Sequence, residues 1–259
     1  MTTVALFVPC FIDQLYPHVA IAAVRVLEQL DIDFDVPDGA VCCGQPAANA
    51  GFADDGDAIL ERFVHANAGY ERVIVLSGSC AAHIRTHAPK ARVRERTTEF
   101  CEFLHDEIGL DRVAKLGARL QARAAIHIGC HALRTLGLAR PSEIQAPPFN
   151  KVRALLETVH ELSFVEPARR DECCGFGGTF AVTEPEISAK MGRDRLRDYV
   201  SQNADIIVST DVSCLMHLGG LARRDGMTMP TVHVAEVLAG TLEPLERASS
   251  SSQLAVNSR

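Results

Sequence analysis

A four-cysteine pattern occurs twice in this chain, and it constrains the fold more than any other feature. Cys10, the run Cys42-Cys43-Gly44 and Cys80 make the first copy. Cys130, the run Cys173-Cys174-Gly175 and Cys214 make the second. The offset between matched cysteines grows from 120 to 134 residues along the chain, so the second copy carries insertions. Two halves built on one plan explain such a repeat.

The segments around the cysteines repeat as well. Short apolar runs, Val4-Ala-Leu-Phe-Val-Pro9 and Ala124-Ala-Ile-His-Ile-Gly129, lead into Cys10 and Cys130. Helical spacing follows each, through Tyr16, Val19, Ala20, Ala23, Val24, Leu27 and Leu30, then through Val152, Leu155, Leu156, Val159 and Leu162. Each Cys-Cys-Gly precedes a further amphipathic stretch, Ile59, Leu60, Phe63 and Val64 in one half, Ile187, Met191, Tyr199 and Val200 in the other. The runs Val73-Ile-Val-Leu76 and Ile206-Ile-Val208 then enter matching turns, Ser77-Gly-Ser-Cys80-Ala-Ala-His83 and Thr210-Asp-Val-Ser-Cys214-Leu-Met-His217. Apolar runs alternating with helical patterns predict an α/β fold of two similar lobes, each a small parallel sheet covered by helices. The expected bounds are 1–119 for the first lobe and 120–243 for the second. The Ser-rich segment 244–259 is expected to be a disordered tail.

Cys10, Cys80, Cys130 and Cys214 each follow a predicted strand. Ligands of open α/β sheets gather at the carboxyl ends of strands. Folding is therefore expected to collect Cys10, Cys42, Cys43 and Cys80 at one point, and Cys130, Cys173, Cys174 and Cys214 at another. Four thiolates repel one another unless positive charge compensates them. A soft metal or an iron–sulfur core supplies it. Adjacent cysteines do not readily take two corners of a compact zinc site, but they can ligate different irons of a larger cluster. Zinc held by three thiolates and His83 or His217 stays open as the alternative. Cys101 has no counterpart in the other half and is expected to be a plain core residue.

Composition narrows the classes further. The chain carries a formal charge of −7 and no Lys/Arg run, which argues against nucleic acid as a partner. The apolar stretch Val19–Leu27 is broken by Arg25 and is too short to span a bilayer, so no transmembrane segment is expected. No leader is visible, and a cytoplasmic location is expected. In that compartment disulfides are rare, and the odd count of nine cysteines also argues against complete pairing. The segment Gly175-Phe-Gly177-Gly178 lacks the third glycine of a dinucleotide fingerprint, and no Gly-x-Ser-x-Gly elbow occurs. The chain is expected to be a subunit of a multi-component oxidoreductase without a complete active site of its own.

The motif stretches resemble the cysteine-rich CCG domains of heterodisulfide reductase and of the iron–sulfur subunits of glycolate oxidase and anaerobic glycerol-3-phosphate dehydrogenase. Closer still, they are similar to the LutA/YkgE family of lactate-utilization proteins. The resemblance rests on Cys42-Cys-Gly-Gln-Pro-Ala47, Ser77-Gly-Ser-Cys80, Cys130-His-Ala-Leu-Arg134, Cys173-Cys-Gly-Phe-Gly-Gly-Thr-Phe180, Asp211-Val-Ser-Cys-Leu-Met-His217 and His233-Val-Ala-Glu-Val-Leu238. It implies iron–sulfur clusters of 4Fe-4S type on Cys10, Cys42, Cys43 and Cys80 and on Cys130, Cys173, Cys174 and Cys214. It implies electron transfer during oxidation of L-lactate to pyruvate, within a lactate-utilization complex whose other subunits include a ferredoxin-like iron–sulfur protein. The reductase resemblance implies a thiol–disulfide oxidoreductase instead. Reductase-type motifs end in Cys-x-x-Cys, whereas this chain has His83 and His217 at those last positions. These imidazoles either ligate iron or bond a backbone group nearby. His131 and Arg134 match the family stretch, and they either place a cation beside an anionic cluster or serve as ordinary helix-start and surface residues.

Overall fold

A computed structural model describes residues 4–39 and 42–242. The tail expected at 244–259 lies outside the described residues. The first lobe runs β1 (Val4–Phe7), α1 (Cys10–Leu15), α2 (Pro17–Gln29), β2 (Phe34–Asp35), α3 (Gln45–Asn49), α4 (Ala53–Ala66), β3 (Arg72–Val75), α5 (Gly78–His87), α6 (Ala91–Arg96), β4 (Thr97–Glu99), α7 (Phe100–Phe103) and α8 (Leu110–Val113). The second runs β5 (Arg119–His127), α9 (Lys151–Leu156), β6 (His160–Val165), α10 (Phe180–Thr183), α11 (Pro185–Ser201), β7 (Ile206–Ser209), α12 (Val212–Arg224), β8 (Thr231–His233) and α13 (Val234–Leu238).

Each lobe holds a four-stranded, all-parallel sheet. The orders are β2-β1-β3-β4 and β6-β5-β7-β8. The two halves therefore share one topology, as the repeat predicts. Strands covered on both faces bury side chains of both alternations, which is why Val73-Ile-Val75 of β3 and Ile206-Ile-Val208 of β7 read as β-branched runs. In each sheet the chain steps first to one side of its opening strand and then to the other. The clefts between β1 and β3, and between β5 and β7, are the switch points where such sheets bind ligands.

Helix α2 illustrates how the pattern works. Pro17 starts it at a position where the missing N–H costs nothing. Its buried stripe is Val19, Ala22, Ala23, Val26 and Leu27, an i, i+3, i+4, i+7, i+8 face. That stripe is rotated from the one the spacing predicts, since Ala20 and Val24 lie at its edge and are only half-buried. A larger correction falls on Leu162. It continues the helical spacing of α9 but lies in β6, opposite Ala122 of β5, because the parallel ladder overrides the local period.

One hydrophobic core spans both lobes, with α2 packed on α13 across the junction, and a second cluster lies within the second lobe around Leu196 and Tyr199. A polar clasp joins them at the helix starts. Ser77 caps α5, accepting from the Cys80 N–H at 3.3 Å. Its counterpart Asp211 sits at the start of α12 but makes no cap bond there. Instead Asp211 Oδ1 crosses the junction and accepts from the hydroxyls of Ser77 at 2.7 Å and Ser79 at 2.8 Å, and from the Ser79 N–H at 3.0 Å. Asp211 is buried, so these charge-assisted bonds replace its hydration. Asp211→Ala is expected to lower unfolding stability by about 2–3 kcal/mol, and Asp211→Asn by less, because the amide oxygen still accepts. Urea denaturation measures both, and equal losses in the two variants would contradict the clasp.

Candidate metal centre

The sheet switch points place the sulfurs. Cys10 opens α1 just after β1, and Cys80 lies in the first turn of α5 just after β3. Cys130 follows β5, and Cys214 lies in the first turn of α12 after β7. The Cys-Cys pairs arrive on loops that the next residue bends sharply. Gly44 and Gly175 both have φ of +89°, a region side chains disfavour. A Cβ on Gly44 would lie 2.3 Å from the Gly56 carbonyl oxygen, and one on Gly175 would lie 2.6 Å from that of Ser188. Only glycine lets each loop lie this close to the following helix.

In the first lobe the sulfurs meet as two pairs, Cys10–Cys42 at 3.9 Å and Cys43–Cys80 at 3.2 Å. In the second, Cys174 and Cys214 stand 3.1 Å apart, and Cys130 and Cys173 line the same cavity. Backbone N–H groups point at the sulfurs, Gly44 to Cys42 at 3.4 Å, Gly175 to Cys173 at 3.3 Å and Phe176 to Cys174 at 3.5 Å. All nine cysteines are free thiols. The eight matched ones line a single cavity of about 390 Å³ between the lobes, with Phe11, Ile12, Pro46 and Phe176 among its apolar walls. Cys101 is fully buried in α7, away from that cavity. A larger cavity of about 970 Å³ near the ends of β5 and β6 touches none of the eight.

The histidines divide. His217 Nε2 lies 3.3 Å from the Ser188 carbonyl oxygen and 3.5 Å from its hydroxyl, so a backbone group holds it. His83 is buried, stacks on His87 at 4.7 Å between ring centroids, and has no partner at Nε2. His131 reaches across the junction to Gln45 at 3.2 Å, with its Nδ1 3.6 Å from Cys130 Sγ. Arg134 is committed elsewhere, to Glu143 at 3.0 Å and the Asp171 carbonyl at 3.5 Å. The residue that motif reading passes over is His127, at the end of β5. Its ring nitrogen and the sulfurs of Cys174 and Cys214 all lie within 4.8 Å of one another, and among the described residues this is the one such group. The signal in the sequence is a lone histidine three residues before Cys130, inside an apolar strand.

The sequence matches known proteins along nearly the whole chain. The CCG cysteine-rich domain matches residues 4–85 and 124–219, one stretch in each lobe. Lactate utilization protein A of Geobacillus thermodenitrificans is 37% identical over 246 residues, covering 91% of this chain and 98% of that protein. Lactate utilization protein A of Bacillus subtilis is 33% identical with the same coverage. That of Exiguobacterium is 35% identical over 92% of this chain and 97% of its own length. The chain belongs to the lactate utilization protein A family.

In this member of the lactate utilization protein A family, the sulfurs are electrostatically unequal in the same way in both lobes. Hydrogen bonds from Cys10, then Cys43, with the Gly44 N–H adding to them, pull Cys42 down to about 2. Bonds from Cys130, then Cys174, and the Gly175 N–H do the same to Cys173, also to about 2. The bond to Cys42, then burial, pushes Cys10 well up, and the bond to Cys173, then burial, pushes Cys130 up. Cys43 and Cys174 are raised by bonds to their neighbouring cysteines and by burial. Each set thus accommodates one thiolate readily, and that charge opposes a second. Burial holds His83 down at about 4, with His87 adding to the effect. Burial, then the Arg195 charge, holds His127 down at about 3. Neutral imidazoles and a thiolate among convertible thiols form a soft donor set suited to iron or zinc rather than to hard oxygen-seeking cations.

Proposed function

We propose that this chain is the iron–sulfur electron-transfer subunit of a system that oxidises L-lactate to pyruvate. One observation carries the reading: all eight matched cysteines, four from each lobe, face one cavity as free thiols. Relatives along nearly the whole chain bear the name lactate utilization protein A. In this reading Cys10, Cys42, Cys43 and Cys80 hold one centre, and Cys130, Cys173, Cys174 and Cys214 hold the other. Bound 4Fe-4S-type clusters would supply one-electron transfer. The chain's own residues provide the setting. Backbone N–H groups of Gly44, Gly175 and Phe176 stabilise negative charge on sulfur. Phe11 and Phe176, packed edge to face at 6.0 Å, give the cavity an apolar wall. Hydride removal from lactate belongs to a partner subunit, since hydride acceptance is flavin or nicotinamide chemistry. The electrons then pass through a ferredoxin-like subunit of the same complex. Cytoplasmic residence fits this role, and among the described residues no helix is long and apolar enough to cross a membrane.

Anaerobic purification followed by iron, sulfide and zinc assays with paramagnetic resonance tests the reading. The expected result is brown protein with about eight irons and matching sulfide, four per lobe. Zinc without iron or sulfide would replace this reading with a zinc protein built on His127, Cys174 and Cys214. Dye-driven reduction of a small disulfide in the loaded protein would favour the thiol–disulfide reading.

A further inference from the structure

We infer that His127 sets an unpartnered Nε2–H beside the Cys174–Cys214 sulfur pair, making the second lobe's centre easier to reduce than the first's. The inference rests on the iron–sulfur reading above and deepens it. It starts from a difference between two places that the duplication makes equivalent. Phe7 lies three residues before Cys10 and pairs with Val75 in the ladder. His127 lies three residues before Cys130 and pairs with Ser209. Val75 and Ser209 each precede their lobe's last cysteine by five residues. Each strand-end ring meets an aromatic ring from the second helix after its Cys-Cys-Gly loop, α4 or α11. Phe7 meets Phe63 edge to face, with the rings at 80°. His127 meets Tyr199 the same way, at 82°. The first lobe fills the spot with two hydrocarbon rings. The second fills it with a hydrogen-bonding pair.

The direction of that pairing is fixed from its far end. Arg195 is fully buried and can only donate. Its Nε donates to Tyr199 Oη at 2.8 Å. Tyr199 is itself completely buried, so its own hydrogen needs an acceptor. His127 Nδ1 lies 2.8 Å from Oη and is that acceptor. A neutral imidazole accepting at Nδ1 carries its proton on Nε2. Nε2 is buried and makes no hydrogen bond, and a ring nitrogen of His127 lies within 4.8 Å of the Cys174 and Cys214 sulfurs, so with Nδ1 taken by Tyr199 the Nε2–H dipole is the free donor beside that pair. An imidazolium would also donate there, so the result does not depend on the charge of the ring. An N–H dipole beside a ligating sulfur stabilises added negative charge and favours the reduced state of the centre it serves. Phe7 offers the first lobe no such donor. His127 is therefore a positioning and tuning residue, not a metal ligand.

Redox titration of the anaerobically reconstituted full chain, followed by paramagnetic resonance, tests this. Iron and sulfide are assayed first. Wild-type protein is expected to show two separable midpoints. His127→Phe, which copies the first lobe, is expected to shift the higher midpoint downward and leave the lower one in place. His127→Gln returns an N–H donor and is expected to keep most of the separation. Tyr199→Phe removes the proton that fixes the ring and is expected to shift the same midpoint downward, which carries the test should His127→Phe not fold. Both centres loaded in the variants with neither midpoint moved would overturn the inference. So would a strong nuclear coupling from nitrogen-15-labelled histidine that His127→Phe abolishes, which marks direct ligation of His127 to iron. Wild-type protein that binds no iron would instead remove the iron–sulfur reading itself, and this inference with it.

Discussion

Replacing Cys174 with serine is expected to remove about half of the iron and sulfide from the anaerobically reconstituted protein while leaving it folded. Serine nearly matches cysteine in shape. Its hydroxyl, however, ionises far less readily than a thiol and is a hard, poor ligand for iron. Cys174 Sγ sits 3.1 Å from Cys214 Sγ and receives the Phe176 N–H, so a change there disturbs a sulfur pair and not merely one atom. The first lobe's sulfurs belong to separate loops and are expected to keep their iron. Cys101→Ser supplies the contrast. Cys101 is as buried as Cys174 but lies in α7 outside the cavity, and burial raises its thiol, with Glu99 adding to it. Its variant is expected to retain both centres and to lose about 1–2 kcal/mol of stability from burying a hydroxyl. Metal analysis and paramagnetic resonance on the two proteins side by side decide the matter. Equal iron contents in the two variants would show that the ligand assignment is wrong.

Arg195→Ala is expected to destabilise the fold by about 3–5 kcal/mol, the largest loss predicted for any side chain outside the sulfur sites. Arg195 has no exposure to solvent. It donates to Asp198 at 3.0 Å, to the Arg170 carbonyl at 3.1 Å and to the Arg169 carbonyl, and its guanidinium lies 4.4 Å from the Tyr199 ring centroid. Asp198 in turn accepts the N–H groups of Ala168 at 2.9 Å and Arg169 at 3.1 Å. This cluster anchors the chain between β6 and the Cys173-Cys174 loop onto α11. Truncation leaves a buried carboxylate without its cation and two carbonyls without donors. Arg195→Lys retains the charge but lacks the planar fork that serves several acceptors at once, so a substantial part of the loss is expected to persist. Urea unfolding of both variants measures this. A loss below about 1 kcal/mol for Arg195→Ala would mean that water takes over the cluster's bonds.

The residues that carried the fold are those whose information is local. Alternation of β-branched runs with helical spacing pointed to the two parallel sheets, and the doubled Cys-Cys-Gly to the lobes' common plan. Local periodicity misled where partners overruled it. Leu162 fits a helix by spacing and lies in a strand because β5 offers it a ladder. In α11 the apolar residues Ile187 and Val200 are exposed. The face that packs inward is Ser188, Gly192, Arg195, Leu196 and Tyr199, a helical stripe that hydrophobicity alone does not reveal. His127 read as part of an apolar strand, and Asp211 as part of a turn.

What kind of sheet delivers the sulfurs can be read from the order of residues alone, because repeat spacing and side-chain period are written in consecutive positions. Three features emerge only once the chain is folded: both sulfur sets open on one cavity, Asp211 ties one lobe's helix start to the other's, and His127 turns toward Cys174 and Cys214. A buried charge or imidazole is tolerated only where specific partners replace water, and here those partners come from segments far apart in the chain.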